Sequence, residues 1–470
     1  MGQPLVLLIY CDELRADALS CNGGPKGLTP HIDKLAQEGL NFKKAFCASP
    51  VCVPCRWSGL TGKSVNQTGV WHNEGAWRGY EMGVDSPTVL DVFRDAGWRT
   101  VNVGKIHLPE GRNPFDENYP EGGAQGELTQ RMKTLGRHLD HAPKGAENLG
   151  GIWPEEEFFP AEGIAETVLE RVASLDDGPL FIRASYLQPH TPVLPYQADF
   201  DRWYQEDWPE IGLDSPVPSE FEKLQADNYG SADMDASQAR RCWWAYHALV
   251  HWVDRQVGAL LQGIDDLGRT EDLKIVFTAD HGASLGEGGA WAKQSFKVGS
   301  HRIPLIIWGG GSAGQDREDI SDSTDLPRTL CELAGLEPLN DFGGRSLLSD
   351  SEPPAVISGI GYGLSWSRLM PNRKYGPWSN GRGWPRRVCV RTSEWRYDRN
   401  VRFEGEDVAL ESEEADPCLI HTNSDPKEEK NLFENPEYLA VAQDLEAKLQ
   451  DWLEDGVEPS SMPPPPKPSR

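Results

Sequence analysis

The 470-residue sequence predicts an α/β fold in which a large, mostly parallel sheet is followed by a smaller α+β unit. Through about Leu348, apolar runs alternate with segments of helical periodicity, which is the pattern of strands and crossover helices in a parallel sheet. Beyond that point, short strand-like segments are separated by Gly, Pro and Asn. We therefore expect an α/β domain at 1–348, an α+β subdomain with a short antiparallel sheet and one helix at 349–459, and a proline-rich tail at 460–470.

Each element is predicted from a local signal. The apolar run at 5–10 predicts a buried first strand, and Gly39 and Gly335 are placed to end helices at 30–39 and 325–334. Ser86 and Pro87 suit the cap and first turn of a helix at 86–97. The other predicted elements are strands at 100–103, 180–184, 273–278 and 305–308, helices at 161–175 and 239–267, and, in the subdomain, strands at 355–360, 387–392 and 395–397 and a helix at 436–453.

The charge balance is strongly acidic. Lys and Arg number 46 against 73 Asp and Glu, a formal net charge of −27. Such a surface argues against nucleic-acid or anionic-membrane partners, and it requires any anionic substrate to find a locally positive pocket. An anion site in this chain should therefore gather Arg, Lys, His and a metal ion.

The sequence favours a cytoplasmic location. No segment approaches the eighteen or so consecutive apolar residues of a membrane span. The first ten residues lack a basic region, their apolar run is short, and Cys11-Asp12-Glu13 follows at once, so we interpret them as a strand rather than a signal peptide. Nine cysteines, scattered and odd in number, fit a reducing compartment.

Two acidic pairs directly follow predicted strands. Asp12 and Glu13 follow the first strand, and Asp280 and His281 follow the strand at 273–278. In open α/β sheets, ligands bind outside the carboxyl ends of strands, and carboxylate oxygens suit a hard divalent cation. Helix capping is the alternative for either pair alone. The two pairs together indicate a metal site.

Cationic residues follow other predicted strands. Lys105 and His107 come after the strand at 100–103, His190 after the strand at 180–184, and Lys293 in the Gly-rich stretch after His281. Any one of them could be structural or merely exposed. Several strand ends that each deliver a cation or a proton carrier match what a transferring anion requires.

The segment Cys52-Val53-Pro54-Cys55-Arg56 sets a cysteine beside an arginine in a turn shaped by Pro and Gly. As a Cys-x-x-Cys it has two alternatives, a thioredoxin-like disulfide-exchange motif and half of a zinc site. No second Cys-x-x-Cys or His pair at metal spacing follows it. The motif alone leaves these alternatives open.

With Thr61-Gly62 downstream, this segment resembles the signature of type I sulfatases. Further matches occur in the family's order, namely the segments at 11–19, 29–36, 104–107, 189–190 and 278–282 and the turn that runs from Asp425 to Leu432. The resemblance covers nearly the whole chain. It implies an alkaline-phosphatase-like fold, with a large mixed sheet sandwiched by helices.

The resemblance also implies a mechanism and its parts. A formylglycine-generating enzyme would oxidise Cys52 to formylglycine, whose hydrate supplies the nucleophilic hydroxyl for hydrolysis of a sulfate monoester. One divalent cation would be held by Asp12, Glu13, residue 52, Asp280 and His281. The preferred ion is Ca²⁺, with Mg²⁺ and Mn²⁺ as alternatives. The implied catalytic residues are Cys52, Arg56, Lys105, His107, His190 and Lys293.

Departures from the family pattern keep other activities open. Glu13 stands where sulfatases usually have Asp, and His281 where lysosomal-type sulfatases have Asn; His281 is similar to the choline sulfatase and phosphonate monoester hydrolase branch. The alternatives are therefore a phosphonate monoester or phosphodiester hydrolase with the same nucleophile, and an inactive metal-binding pseudo-sulfatase.

The substrate is expected to be a small sulfate ester, with a sulfated sugar as one option. Candidate substrate contacts are Arg302, Trp378, Trp384 and Arg387, because tryptophan can stack on a sugar ring and the basic stretch at 368–387 could meet a second anionic group. Core packing and a solvated loop are the alternatives for these residues. The sequence leaves a homo-oligomer open.

Overall fold

The structure is a computed structural model that describes residues 3–73, 86–109, 111–120, 137–138, 149–157, 159, 161–174, 178–229, 234–309, 314–351, 353–361, 386–401 and 415–456. The predicted tail at 460–470 and the tryptophans at 378 and 384 lie outside these residues. The domain boundaries at 348 and 459 stay predictions.

The described strands and helices are as follows. The strands are β1 (Leu5–Asp12), β2 (Leu40–Phe46), β3 (Arg99–Gly104), β4 (Glu117–Tyr119), β5 (Arg137–His138), β6 (Gly151–Ile152), β7 (Leu180–Pro189), β8 (Leu273–Ala279), β9 (Ser284–Leu285), β10 (Trp291–Ala292), β11 (Leu305–Trp308), β12 (Gln315–Asp322), β13 (Val356–Ile360), β14 (Arg386–Arg391), β15 (Trp395–Val401) and β16 (Cys418–His421). The helices are α1 (Pro30–Glu38), α2 (Cys52–Thr61), α3 (Val65–Thr68), α4 (Val89–Asp95), α5 (Gly163–Ala173), α6 (Gln197–Trp203), α7 (Glu220–Tyr229), α8 (Ala236–Asp266), α9 (Val298–His301), α10 (Leu326–Ala334) and α11 (Leu439–Glu454).

An eight-stranded sheet forms the centre of the molecule, in the order β12-β2-β11-β8-β1-β7-β3-β4. All neighbours are parallel except β11, which runs antiparallel to β2 and β8. Helices α1, α5, α6 and α8 form one packed group and α2, α4 and α10 another, and each group contacts the sheet. The prediction of a mostly parallel mixed sheet between helices is confirmed.

The middle strands are apolar because both faces of the sheet are covered. All eight residues of β1 are buried, and its neighbours β7 and β8 are almost entirely so. Two carboxylates lie at strand ends: Asp12 ends β1 and Asp280 directly follows β8. The register pairs Cys11 with Ala279, which brings these two carboxylates to one edge of the sheet.

The strands β13 to β16 form a separate antiparallel sheet in chain order, with α11 packed against it. Three of them match predicted strands within a few residues, whereas β16 was not predicted. This sheet and its helix confirm the α+β character predicted for the C-terminal part of the chain.

Several local predictions need correction. The helix predicted at 86–97 begins at Val89, and its capping box uses Thr88 and Asp91 rather than Ser86. Strands β2 and β12 were missed, because β2 carries Lys43 and Lys44 and the edge strand β12 has a charged, partly exposed sequence. Cys52 begins a ten-residue helix, not an isolated turn.

Candidate active site

The predicted site residues meet at the carboxyl ends of β1, β3, β7 and β8, beside the N-terminus of α2. This is where open α/β sheets bind ligands, because loops leaving neighbouring parallel strands open at the same edge. The site is thus assembled from segments far apart in the chain, from Asp12 to Lys293.

Cys52 is the first residue of α2, and its side chain is fully buried. Val51 before it is extended, and Pro54 sits in the first turn, where the missing N–H costs no helical hydrogen bond. The next N–H, that of Val53, donates to Asn73 Oδ1 at 2.9 Å. The residue therefore lies at the positive end of a helix whose start is held by a side chain from another segment.

Cationic groups surround the Cys52 sulfur. Lys293 Nζ lies 3.1 Å and Lys105 Nζ 4.0 Å from Sγ, and His281 Nε2 lies 3.3 Å from it. His107 also hydrogen-bonds to this thiol. Cys55 Sγ instead contacts Ser323 Oγ at 3.2 Å, and both cysteines are free thiols.

Arg56 lies one turn further along α2 and joins the two strand-end carboxylates. Its Nε donates to Asp280 Oδ2 at 2.8 Å, and Nη2 donates to Asp12 Oδ2 at 2.9 Å. Nη1 donates to Ser185 Oγ at 3.1 Å. Because these side chains are fully buried, the arginine fixes the orientation of both acids and leaves their Oδ1 atoms for other partners.

A second cluster lies beside the first. His190 Nε2 accepts a hydrogen bond from Lys293 Nζ at 2.8 Å and lies 3.4 Å from Glu13 Oε2. Lys293 Nζ is 3.6 Å from the same carboxylate oxygen. Lys105 forms an ion pair with Asp12. The side chains of His190 and Lys293 are 12% and 15% exposed, against 4% for Lys105, so this site opens on the His190 and Lys293 side.

Burial and charge together set the protonation of the site. Burial opposes ionisation of Cys52, but Lys105, Lys293 and His281 outweigh it and hold the thiol's pKa well below its usual value. Burial and Lys105 lower the pKa of His107 to about 4, so this imidazole is neutral at pH 7. Burial also raises the pKa of Asp280, with the nearby Asp12 charge, to about 6.

The acidic groups fit a divalent cation. Asp12, Asp280, His281 and Cys52 can direct ligand atoms to one point, as can Asp12, Glu13 and His190. Both Glu13 carboxylate oxygens are buried and have no hydrogen-bond partner among the residues that the structure describes, and an ion could supply one. His281 Nδ1 donates to Gly282 O at 2.8 Å, so its Nε2 can present a lone pair to the site. Oxygen donors with one imidazole suit a hard cation such as Ca²⁺.

Two of the predicted substrate contacts lie elsewhere. Arg387 is fully buried in β14, where it pairs with Asp398 and Asp416 and stacks over Phe221. Its donors are engaged within the C-terminal sheet, so we withdraw it as a substrate ligand. Arg302 lies near Asp17, where its charge contributes to lowering the pKa of that carboxyl group.

The sequence analysis missed His72, Asn73 and Gln294. His72 is buried near Cys52, and its Nε2 contacts Gln294 Nε2 at 3.0 Å. None of the three directly follows a predicted strand, so the strand-end argument could not find them. The only local signal is that His72 and Asn73 lie a few residues after α3 and that Gln294 directly follows Lys293.

Comparison with known proteins gives consistent matches. The Sulfatase family model matches residues 4–336. The chain is 26% identical over 478 residues to a choline-sulfatase from Rhizobium meliloti, covering 93% of this chain and 83% of that protein.

Solved structures share the fold. The phosphonate monoester hydrolase of Agrobacterium radiobacter superposes with a TM-score of 0.75 at 20% identity, covering 97% of this chain and 96% of the other. A protein solved in complex with its substrate D-glucosamine-2-N,6-O-disulfate superposes with a TM-score of 0.73 at 20% identity, covering 97% and 99%. Among the described helices, none has the length and apolar character needed to cross a bilayer.

Proposed function

This chain belongs to the sulfatase family, and on that premise we propose that it hydrolyses a small sulfate monoester, a sulfated sugar first, through formylglycine at residue 52. The observation that carries this mechanism is the position of Cys52 Sγ within 4.0 Å of two lysine ammonium groups, in contact with His281, at the start of a buried helix. The fold and the family membership are equally compatible with phosphonate monoester hydrolysis.

Two groups would complete this site. Formylglycine, made by a formylglycine-generating enzyme, would supply a hydroxyl nucleophile where Cys52 Sγ lies, and a divalent cation, Ca²⁺ before Mg²⁺ or Mn²⁺, held by Asp12, Glu13, Asp280 and His281 would lower the pKa of that hydroxyl. Arg56 holds Asp12 and Asp280 in the orientation that this requires.

Lys105 and Lys293 bind the sulfate oxygens. They approach the reacting position from two sides, and Lys105 is almost fully buried, so their charges act in a medium of low dielectric constant. They also supply the local positive potential that an anionic substrate needs on a protein of net charge −27. Their positions are fixed before the substrate arrives, which is what stabilisation of a charge-spread transition state requires.

Protons move at two places. The Lys293 Nζ and His190 Nε2 pair lies on the more exposed side of the site, so the alcohol departs there and takes a proton from this pair. His107 contacts residue 52 and is neutral at pH 7, so its imidazole would accept the proton whose removal from residue 52 lets sulfate leave; uptake of water then restores the nucleophile.

The phosphonate alternative is motivated by His281 and by the similarity in fold to a phosphonate monoester hydrolase. The sulfatase and phosphonate hydrolase hypotheses are tested with protein co-expressed with a formylglycine-generating enzyme. Turnover of 4-nitrophenyl sulfate is compared with turnover of an aryl phosphonate monoester. Higher kcat/KM for the sulfate supports our proposal, and a strong phosphonate preference refutes it. A panel of sulfated monosaccharides then identifies the sugar.

The nucleophile is tested by the mass of the tryptic peptide that contains residue 52. Oxidation of the thiol to an aldehyde lowers that mass by about 18 Da, the difference in composition between the two side chains. An unmodified thiol in active protein would refute the formylglycine mechanism. An unmodified thiol in inactive protein from the native host would instead favour a pseudo-sulfatase.

We also propose a cytoplasmic location, because all nine cysteines are free thiols and most are buried. Fractionation of the native host tests it. Recovery of the protein outside the cytoplasmic fraction would refute it.

A further inference from the structure

Lys293 lies on a strained piece of backbone. Ala292 before it and Gln294 after it both have positive φ, 63° and 75°, a region that residues with a Cβ seldom adopt. Such conformations persist only where the surrounding structure over-determines them. The position of the Lys293 ammonium group therefore depends on what holds the flanking chain.

The segment 294–298 is anchored at both ends. Near Lys293, the Gln294 N–H donates to Pro50 O at 3.2 Å, and its side chain contacts His72. Further along, Phe296 O accepts a hydrogen bond from Arg391 Nη2 at 2.5 Å, and the Val298 N–H donates to Glu428 Oε2 at 2.8 Å. The second anchor thus comes from the C-terminal part of the chain.

Glu428 and Arg391 form a closed pair. Arg391 Nη1 and Nη2 donate to the two carboxylate oxygens of Glu428 at 2.6 and 3.1 Å, and Arg396 Nη1 donates to Oε2 at 2.9 Å. Arg391 Nε donates to His301 Nδ1 at 2.9 Å. All of these side chains are buried, so the contacts are little screened by solvent.

The Arg391–Glu428 pair gives a structural role to the turn from Asp425 to Leu432, which takes no direct part in the proposed reaction. In the turn from Asp425 to Leu432, Asp425 Oδ2 accepts hydrogen bonds from the N–H groups of Glu429 and Lys430, and Asn431 Oδ1 accepts one from Leu419. Those contacts stay within the turn and β16. Glu428 is the motif residue whose side chain reaches the segment that carries Lys293.

We propose that Arg391 and Glu428 are positioning residues for Lys293: they hold the backbone at Phe296 and Val298 and so keep the Lys293 ammonium group beside residue 52 and His190. This inference rests on the proposed function, in which Lys293 binds the sulfate. It adds that the C-terminal part of the chain takes part in turnover without touching substrate.

The test uses Arg391→Lys, with Arg387→Lys as matched control. Lysine keeps the charge but cannot reproduce the forked contacts to Phe296 O, His301 and Glu428. Arg387 lies in the same strand, is equally buried and pairs with Asp398 and Asp416; among the described residues it hydrogen-bonds neither to Glu428 nor to the backbone at 296–298. Full-length formylglycine-bearing proteins are assayed with 4-nitrophenyl sulfate, and inorganic sulfate is titrated as inhibitor.

We expect Arg391→Lys to lower kcat/KM about tenfold or more, since displacements near 1 Å can cost about a hundredfold, and to weaken inhibition by inorganic sulfate. Arg387→Lys should stay within about twofold of wild type. In a Lys293→Ala background, Arg391→Lys should add less than about twofold, because its effect passes through Lys293.

Equal losses in both arginine variants, or a full additional loss in the Lys293→Ala background, would overturn the inference. Lys293→Ala with wild-type turnover would refute the proposed function itself, and the inference with it. A large loss in Lys293→Ala beside an unchanged Arg391→Lys would refute the inference alone.

Should Arg391→Lys fail to fold, Val298→Pro carries the test. Val298 is the first residue of α9, a position where helices accept proline. Lys297 before it is extended (φ −58°, ψ 148°), which is the conformation that a residue preceding proline prefers. The substitution removes the N–H that donates to Glu428 and replaces one apolar side chain by another. We expect kcat/KM to fall severalfold in wild type and to be unchanged in the Lys293→Ala background; equal losses in both would overturn the inference.

Discussion

Removing the Arg56 guanidinium should destabilise the protein, because it is the buried cation that joins Asp12 to Asp280. Arg56→Met leaves both carboxylates without this partner, and breaking a buried ion pair from one side costs about 3–5 kcal/mol. Arg56→Lys keeps the charge but loses at least one of two charge-assisted hydrogen bonds, each contributing about 1.5–3 kcal/mol.

We would measure thermal unfolding by circular dichroism in EDTA, so that no cation compensates the exposed charges. A change of 1 kcal/mol shifts the Tm of a large domain by about 2 °C. Arg56→Met should therefore unfold roughly 6–10 °C below wild type, and Arg56→Lys about half as far below. Adding Ca²⁺ should recover part of the loss, since it binds the same carboxylates in the folded state.

Arg255→Met is the control. Arg255 is half exposed and pairs with Asp199 at 2.5 Å, so the lost pair is worth only about 0–1 kcal/mol. The reasoning is refuted if Arg56→Met unfolds at the same temperature as this control.

Three further results are expected. His107→Ala should lower kcat about 10²–10⁴-fold, the usual contribution of a general base, whereas a loss under tenfold would contradict its role. EDTA should abolish turnover and Ca²⁺ restore it; activity that persists in EDTA would argue against the cation site. Burial raises the pKa of Asp254 in the folded protein to about 7, whereas that of an unfolded aspartate is near 4. Between pH 4 and pH 7 the folded state therefore binds one proton more than the unfolded state, and the free energy of unfolding falls as pH rises through this window. Asp254→Asn keeps the acceptor for the His31 and Ile32 N–H groups and should raise Tm more at pH 8 than at pH 5; an equal change at both would contradict this.

The buried strands and the strand-end residues could be predicted from the sequence because both are local properties. The apolar runs of β1 and β8 mark fully covered strands, and the polar residues that directly follow them must share one edge of a parallel sheet. The edge strand β12 was missed because three of its eight residues are exposed and five of the eight carry charge.

Arg387 and Arg391 show what local sequence cannot reveal. Arg387 ends the basic stretch at 368–387 and Arg391 lies four residues beyond it, and by local sequence either side chain could face a substrate or solvent. Their partners, Asp398, Asp416 and Glu428, are supplied by later parts of the chain, and only the folded sheet pairs them. The same limit applies to His72, whose nearness to Cys52 depends on tertiary contacts with Gln294.

The order in which the sheet is assembled sets a time limit on the chemistry of Cys52. β1 is synthesised first, yet its neighbour β8 and the carboxylate that holds Arg56 come more than two hundred residues after Cys52. At about 5–20 residues per second, roughly 10–45 s of synthesis separate the two. Until β8 docks, α2 cannot be enclosed, so under the proposed mechanism a formylglycine-generating enzyme would reach Cys52 on the nascent chain. In the completed fold the sulfur is fully buried, and that opportunity has ended.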